Sequence, residues 1–194
     1  MSIPIRQTLF NQNDLNSRVD LLSLANTFLN EAEQLFGPIA GRYTLVDCWY
    51  HDDGNDDGPE ILFPHEPGQI AIRLSADSKG DPRQIVYQLA HEVVHCISPS
   101  GPGLHANVLE EGLAVYFSVI TVKKYGLIIR PSMESYKQAL RILEPYLAKH
   151  PSFIKIVRQQ EPYICKITKK QLLGLDIDMS EHDAISLSEK FVRF

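Results

Sequence analysis

The residues most able to do chemistry in this chain form one short run, His91-Glu92-Val93-Val94-His95. On a helix, residues four apart stand one above the other on the same face. His91 and His95 can therefore aim two imidazoles at one metal ion, and imidazole is a ligand well suited to zinc. Glu92 flanks that point without being a ligand itself. A zinc ion lowers the pKa of a water held on it to about 7, and a carboxylate within hydrogen-bond reach can take the proton. The implied chemistry is metal-assisted hydrolysis, with Glu92 as general base.

A catalytic zinc site needs a third protein ligand and one open position. Downstream stand His105, Glu110 and Glu111. Asn107 is a suitable helix N-cap, and Glu110 falls three residues later, the position of a capping-box partner. That gives Glu110 a structural task and leaves Glu111 to turn inward, so Glu111 is preferred over Glu110 and His105. Gly112 and Ala114 are small, as a close approach to the histidine-bearing helix would require.

His91-Glu92-Val93-Val94-His95 followed by Leu109-Glu110-Glu111-Gly112-Leu113-Ala114-Val115-Tyr116-Phe117 resembles the gluzincin metallopeptidases of the thermolysin-like clan. The second segment is most similar to the Asn-Glu-Gly-Phe-Ala motif of zinc aminopeptidases. The resemblance spans Gln84 to Phe117, with a shorter interval between His95 and Glu111 and with Glu110 in place of the usual asparagine. It implies Zn²⁺ held by His91, His95 and Glu111, one ion per chain, with Glu92 as catalytic base. It also implies a zincin-like fold, in which a sheet edge strand lies beside the active-site helix and receives the peptide as an added strand. Gln69 to Ser75 is expected to be that strand. In the resembled family a downstream tyrosine or histidine stabilises the oxyanion. Tyr125, Tyr136, Tyr146 and Tyr163 qualify by position, and spacing does not choose among them. Tyr116, one turn after Glu111, could support the site from behind. The metzincin pattern is absent, because Ser98 and Gly101 stand where its glycine and third histidine would be. Met133 then reads as filler in a helical core.

Two further clusters read as ordinary surface. Asp53, Asn55, Asp57 and Gly58 match the first half of a calcium loop, but Pro64 stands where the closing bidentate glutamate belongs. Lys155, Arg158, Lys166, Lys169 and Lys170 read as a solvated basic helical face.

Positioning the motif requires two helices. Asp81 is a good N-cap and Pro82 fits the first helical position. Ile85, Val86, Leu89, Val93 and Ile97 form an apolar stripe behind the histidines, and Ser98 to Gly103 ends the run. A second helix is expected from Asn107 to Lys124, with Gly126 as terminator. Before them, Leu15 to Phe36 reads as a helix, and Arg42 to Tyr50, Glu60 to Phe63 and Gln69 to Ser75 read as strands. After Pro131 the spacing is helical over Ser132–Ala148, Ser152–Gln160, Lys169–Leu173 and Ser180–Val192. Strands early and helices late predict an α+β fold, a single domain over residues 1–194. Its parts are a strand-containing 1–80, active-site helices in 81–125 and a helical 131–194.

The 194 residues are 44% hydrophobic and 22% charged, enough for a sizeable core. The net charge of −5 carries no basic excess for a phosphate-binding role, so no nucleic acid is expected. Cys48, Cys96 and Cys165 are too few and too dispersed for a disulfide scaffold or a cysteine zinc site, and are expected as mostly buried thiols. The start of the chain lacks signal-peptide patterning, and the apolar run Leu113 to Val122 is about half a membrane span. A cytoplasmic protein with no membrane contact is expected, with signal-less secretion left open. The reading is a zinc-dependent peptidase acting on a peptide or protein substrate. The alternatives are a non-catalytic zinc sensor or interaction module, and a zinc hydrolase of a non-peptide bond.

Overall fold

A computed structural model describes residues 17–52, 58–64, 66–101 and 104–194. The partial calcium-loop run at residues 53–57 lies outside the described residues. Among them, seven helices and a small three-stranded mixed sheet give an α+β fold. Helix α1 (Arg18–Phe36) leads into strands β1 (Thr44–Tyr50), β2 (Glu60–Leu62) and β3 (Gln69–Leu74). Then follow α2 (Pro82–Ile97), α3 (Val108–Lys124), α4 (Glu134–Lys149), α5 (Phe153–Gln160), α6 (Lys169–Leu173) and α7 (Glu181–Ser188). No helix among the described residues is long and apolar enough to cross a membrane.

The two helices that carry the motif begin as their local chemistry dictates. Asp81 accepts from the Arg83 N–H at the start of α2, with Pro82 in the first turn. Asn107 Oδ1 accepts from the Glu110 N–H at 2.9 Å at the start of α3. Lys123 and Lys124 oppose the C-terminal partial charge of α3. Gly126, at φ 71°, turns the chain away in a conformation that costs a Cβ-bearing residue energy.

The sheet order is β1-β3-β2, with β1 parallel and β2 antiparallel to β3. The expected edge strand, Gln69 to Ser75, is therefore the central strand. Its burial agrees: Ile70, Ala71, Ile72 and Leu74 are all shielded, so both faces of β3 are covered. The sheet edges are β1 and β2, and Glu60 of β2 pairs with Arg73 of β3. One continuous hydrophobic cluster joins α1, the sheet, α2, α3 and the later helices, with Phe28, Phe117 and Phe153 among its largest buried side chains. Cys48 and Cys96 are buried in it and Cys165 is half-buried, all as free thiols.

Three other expectations are corrected. Gly112 does not serve the approach to α2. A Cβ there would meet the Ala139 carbonyl oxygen of α4 at 2.9 Å, so the glycine lets α3 and α4 touch. The last helix ends at Ser188 rather than Val192. Residues beyond it run extended, with Val108 N–H donating to Glu189 O and Phe191 N–H to Ala106 O, both at 3.0 Å. These bonds to the start of α3 replace those a longer helix would make. Arg158 is not on a solvated face: it is 7% exposed and enclosed by backbone carbonyls.

Gly112→Ala is expected to lower stability by about 1 kcal/mol. Helix propensity gains about 1 kcal/mol, and the clash with a backbone carbonyl costs about 1–3 kcal/mol. Thermal unfolding should register a fall of about 2–4 °C. A melting temperature that rises would show that α4 yields freely.

Candidate metal centre

Helix α2 presents His91, Glu92 and His95, and the first turn of α3 presents Glu110 and Glu111, against one another. His91 Nε2 lies 3.1 Å from Glu111 Oε2, and His95 Nε2 lies 3.8 Å from Glu111 Oε1. One ligand atom from each of His91, His95 and Glu111 can be chosen so that all fall within 4.8 Å of one another. Tetrahedral ligands about 2.0–2.1 Å from a zinc ion stand about 3.3 Å apart, close to the 3.1 and 3.8 Å that separate the two imidazoles from Glu111. His105 is exposed and lies outside this group.

The buried carboxylate carries the test of fit. Glu111 is 6% exposed, and its Oε2 makes no acceptable hydrogen bond among the described residues despite the nearby imidazole. A buried carboxylate oxygen without a donor is costly. A cation between it and the two imidazoles removes that cost, and two neutral nitrogens with one carboxylate are a donor set zinc accepts.

Glu110 does not close the expected capping box. Its backbone N–H is capped by Asn107, but its carboxylate turns to His95 instead, with Oε1 2.8 Å from Nδ1. An Nδ1–H donated to this carboxylate leaves Nε2 as the lone-pair face, turned to the same point as Glu111. His91 has no such brace, because its buried Nδ1 has no partner among the described residues.

The electrostatics of the metal-free group favour a proton where the metal would sit. Burial pulls the His95 pKa down, but Glu111, Glu110 and Glu92 outweigh it and raise it to about 10. Burial pushes Glu111 up, but His95 and His91 outweigh that and hold it at about 2. The raised His95 value stabilises the metal-free fold below the unfolded value of about 6.5, and this contribution is lost as pH rises through about 10. The depressed Glu111 value acts oppositely, stabilising above about 4.3 and failing as pH falls toward about 2. Metal must displace the His95 proton, so uptake at pH 7 is expected to release about one proton. Affinity should then climb about tenfold per pH unit through neutrality. Titration calorimetry in two buffers of different ionisation enthalpy measures this, and release of no proton would contradict the arrangement.

Glu92 is 3% exposed, and burial raises its pKa. With His91 it lines a cleft of about 270 Å³, whereas His95 and Glu111 stand behind. Of Tyr125, Tyr136, Tyr146 and Tyr163, Tyr136 lines this cleft. It stands on α4, with its ring centroid 5.6 Å from that of His91 in an edge-on contact. Tyr125 packs on Phe28, Tyr146 donates to Asp183, and Tyr163 lies under Lys166. Tyr116 packs half-buried against the core. Burial first, then Glu111 and Glu92, raise the Tyr136 pKa to about 12, so its hydroxyl keeps its proton at neutral pH. Met133, expected as core filler, stands at the N-cap position of α4 without a side-chain capping bond and lines the same cleft.

Tyr87, Arg130 and Arg193 line the cleft without any place in the sequence analysis. Tyr87 stacks on His91 with centroids 6.4 Å apart. It precedes His91 by one helical turn, so the spacing that joined the two histidines also pointed to it. Arg193 reaches the cleft from the extended segment after α7, where Phe191 stacks on Tyr136 at 5.1 Å. No sequence signal marks it. The chain is thus an α+β protein with a largely shielded His-His-Glu group able to hold a metal ion. Comparison with protein-family models, with curated proteins and with solved structures gives no match.

Proposed function

We propose that the protein is a zinc-dependent peptide-bond hydrolase of gluzincin type, with Zn²⁺ held by His91, His95 and Glu111. The observation that carries this reading is Glu92. It is a buried carboxylate on the histidine-bearing helix, it faces the cleft, and it stands outside the group that can hold the metal. Zinc, when bound, supplies the Lewis acidity that polarises the scissile carbonyl and acidifies water. Glu92 takes the proton of the attacking water and returns it to the leaving amine. Tyr136, kept protonated by its surroundings, donates to the oxyanion as charge develops there. Glu110 holds the His95 ring in its orientation.

The substrate backbone lies along β2, whose preceding residues Gly58 and Pro59 line the cleft. Main-chain hydrogen bonds to a sheet edge give affinity to many sequences. Incubation of the zinc-loaded protein with casein and with a peptide library tests the reading. Cleavage abolished by a chelator and restored by zinc is expected. Stoichiometric zinc with no cleavage across the library would overturn the peptidase reading.

A further inference from the structure

The cleft lining carries more basic than acidic side chains, in a protein whose net charge is −5. Its charged lining consists of Glu92, Arg130 and Arg193. Both arginines are exposed, and neither makes an ion pair among the described residues. Most other described arginines do pair: Arg18, Arg73, Arg83 and Arg141 each meet a carboxylate, and Arg158 is saturated by carbonyls. The two cleft arginines enter from different parts of the fold. Arg130 belongs to the connection between α3 and α4, and Arg193 to the segment beyond α7. The latter is fixed by the Phe191 N–H bond to Ala106 and by the stacking of Phe191 on Tyr136. Arg193 also interacts with the Tyr136 hydroxyl and acts on Glu92 and Glu111, so its charge is felt beside the reacting groups.

Two metal charges and two guanidinium charges would stand against the carboxylates of Glu92, Glu110 and Glu111, which leaves one positive charge over. A guanidinium offers a planar fork of donors that fits a carboxylate in two-point contact. We infer that the cleft selects peptides bearing a carboxylate close to the scissile bond, held by Arg130 and Arg193. The carboxylate can be the C-terminal one of a short peptide or an Asp or Glu side chain, since both present the same group. This specificity rests on the peptidase reading for its use in turnover, but recognition can be tested without turnover.

The experiment measures, by titration calorimetry, equilibrium binding of three N-acetylated alanine tetrapeptides to the zinc-loaded full chain carrying Glu92→Gln, which holds them uncleaved. One peptide has a free C-terminus, one a carboxamide, and one a carboxamide with a single glutamate. The carboxamide peptide is expected to bind at least tenfold more weakly than one or both of the others. Which of the two binds more tightly identifies the source of the carboxylate. Adding Arg193→Gln, or Arg130→Gln, should remove most of that preference. Equal affinity for the three peptides, binding too weak to measure for all of them, or a preference unchanged in both arginine variants would overturn the inference. Carboxylate-selective binding by a wild-type chain that cleaves nothing would overturn the peptidase reading and leave the recognition standing. Cleavage without carboxylate preference would do the reverse.

Discussion

Glu92→Gln is expected to lower kcat by about 10²–10⁴-fold, the range for removing a positioned general base, while the metal content stays at that of wild type. Glutamine fills the same volume in a position that is 3% exposed, so packing is kept. It accepts hydrogen bonds but cannot carry a proton between water and the leaving amine. Glu92 stands outside the His91–His95–Glu111 group, so metal retention separates loss of the base from loss of the site. Burial of a carboxylate costs folding energy, and burial indeed raises the pKa of Glu92. The variant should therefore melt no lower than wild type. Steady-state kinetics with elemental analysis of the same sample decides the matter, and turnover equal to wild type would remove Glu92 from the mechanism.

Arg158→Met is expected to cost about 3 kcal/mol or more of stability, from carbonyls left without donors at about 1–3 kcal/mol each. The Arg158 guanidinium donates to the carbonyls of Phe36, Gly37, Pro38, Ile97 and Pro162, at 2.5–3.2 Å. These lie at the C-terminal ends of α1 and α2 and just after α5, where helices leave carbonyls unpaired. Ile97 O keeps the Ala40 N–H as a second donor, so its loss is smaller than the others. Arg158→Lys, whose single ammonium cannot span this set, should fall between. Thermal unfolding should drop by about 6–12 °C for Arg158→Met. A drop of less than about 2 °C would mean that water replaces the guanidinium at little cost. The consequence reaches the site, because the anchored end of α2 is the end that carries His95.

What was legible in the sequence is what local physics decides. Asp81 with Pro82, and Asn107 with Lys123 and Lys124, set the limits of α2 and α3 through bonds a few residues long. The four-residue spacing of His91 and His95 put them on one face, and capping logic separated Glu111 from Glu110. That logic stopped halfway. It placed the Glu110 N–H on Asn107 but had no means of sending the carboxylate to His95, fifteen residues away. Strand order was misread for the same reason. The alternation in Gln69 to Leu74 is compatible with an edge or a centre, and only the pairing of β2 against β3 makes it the centre. Arg158 looked solvated because charge type is a local property, whereas its carbonyl partners come from segments up to 122 residues away. Arg193 reached the cleft through a backbone pairing that interrupts an otherwise helical pattern at Ser188.

The central claim is that His91, His95 and Glu111 hold one metal ion. Elemental mass spectrometry of wild type, Glu110→Gln and Glu111→Gln, after dialysis against a mild chelator, tests it most directly. About one zinc per chain is expected in wild type. Glu111→Gln should lose it. Glu110→Gln should retain zinc with affinity lowered by about tenfold, the low end for loss of a brace behind a ligand histidine. Metal-free wild type that is properly folded, or Glu111→Gln that keeps its zinc, would contradict the account.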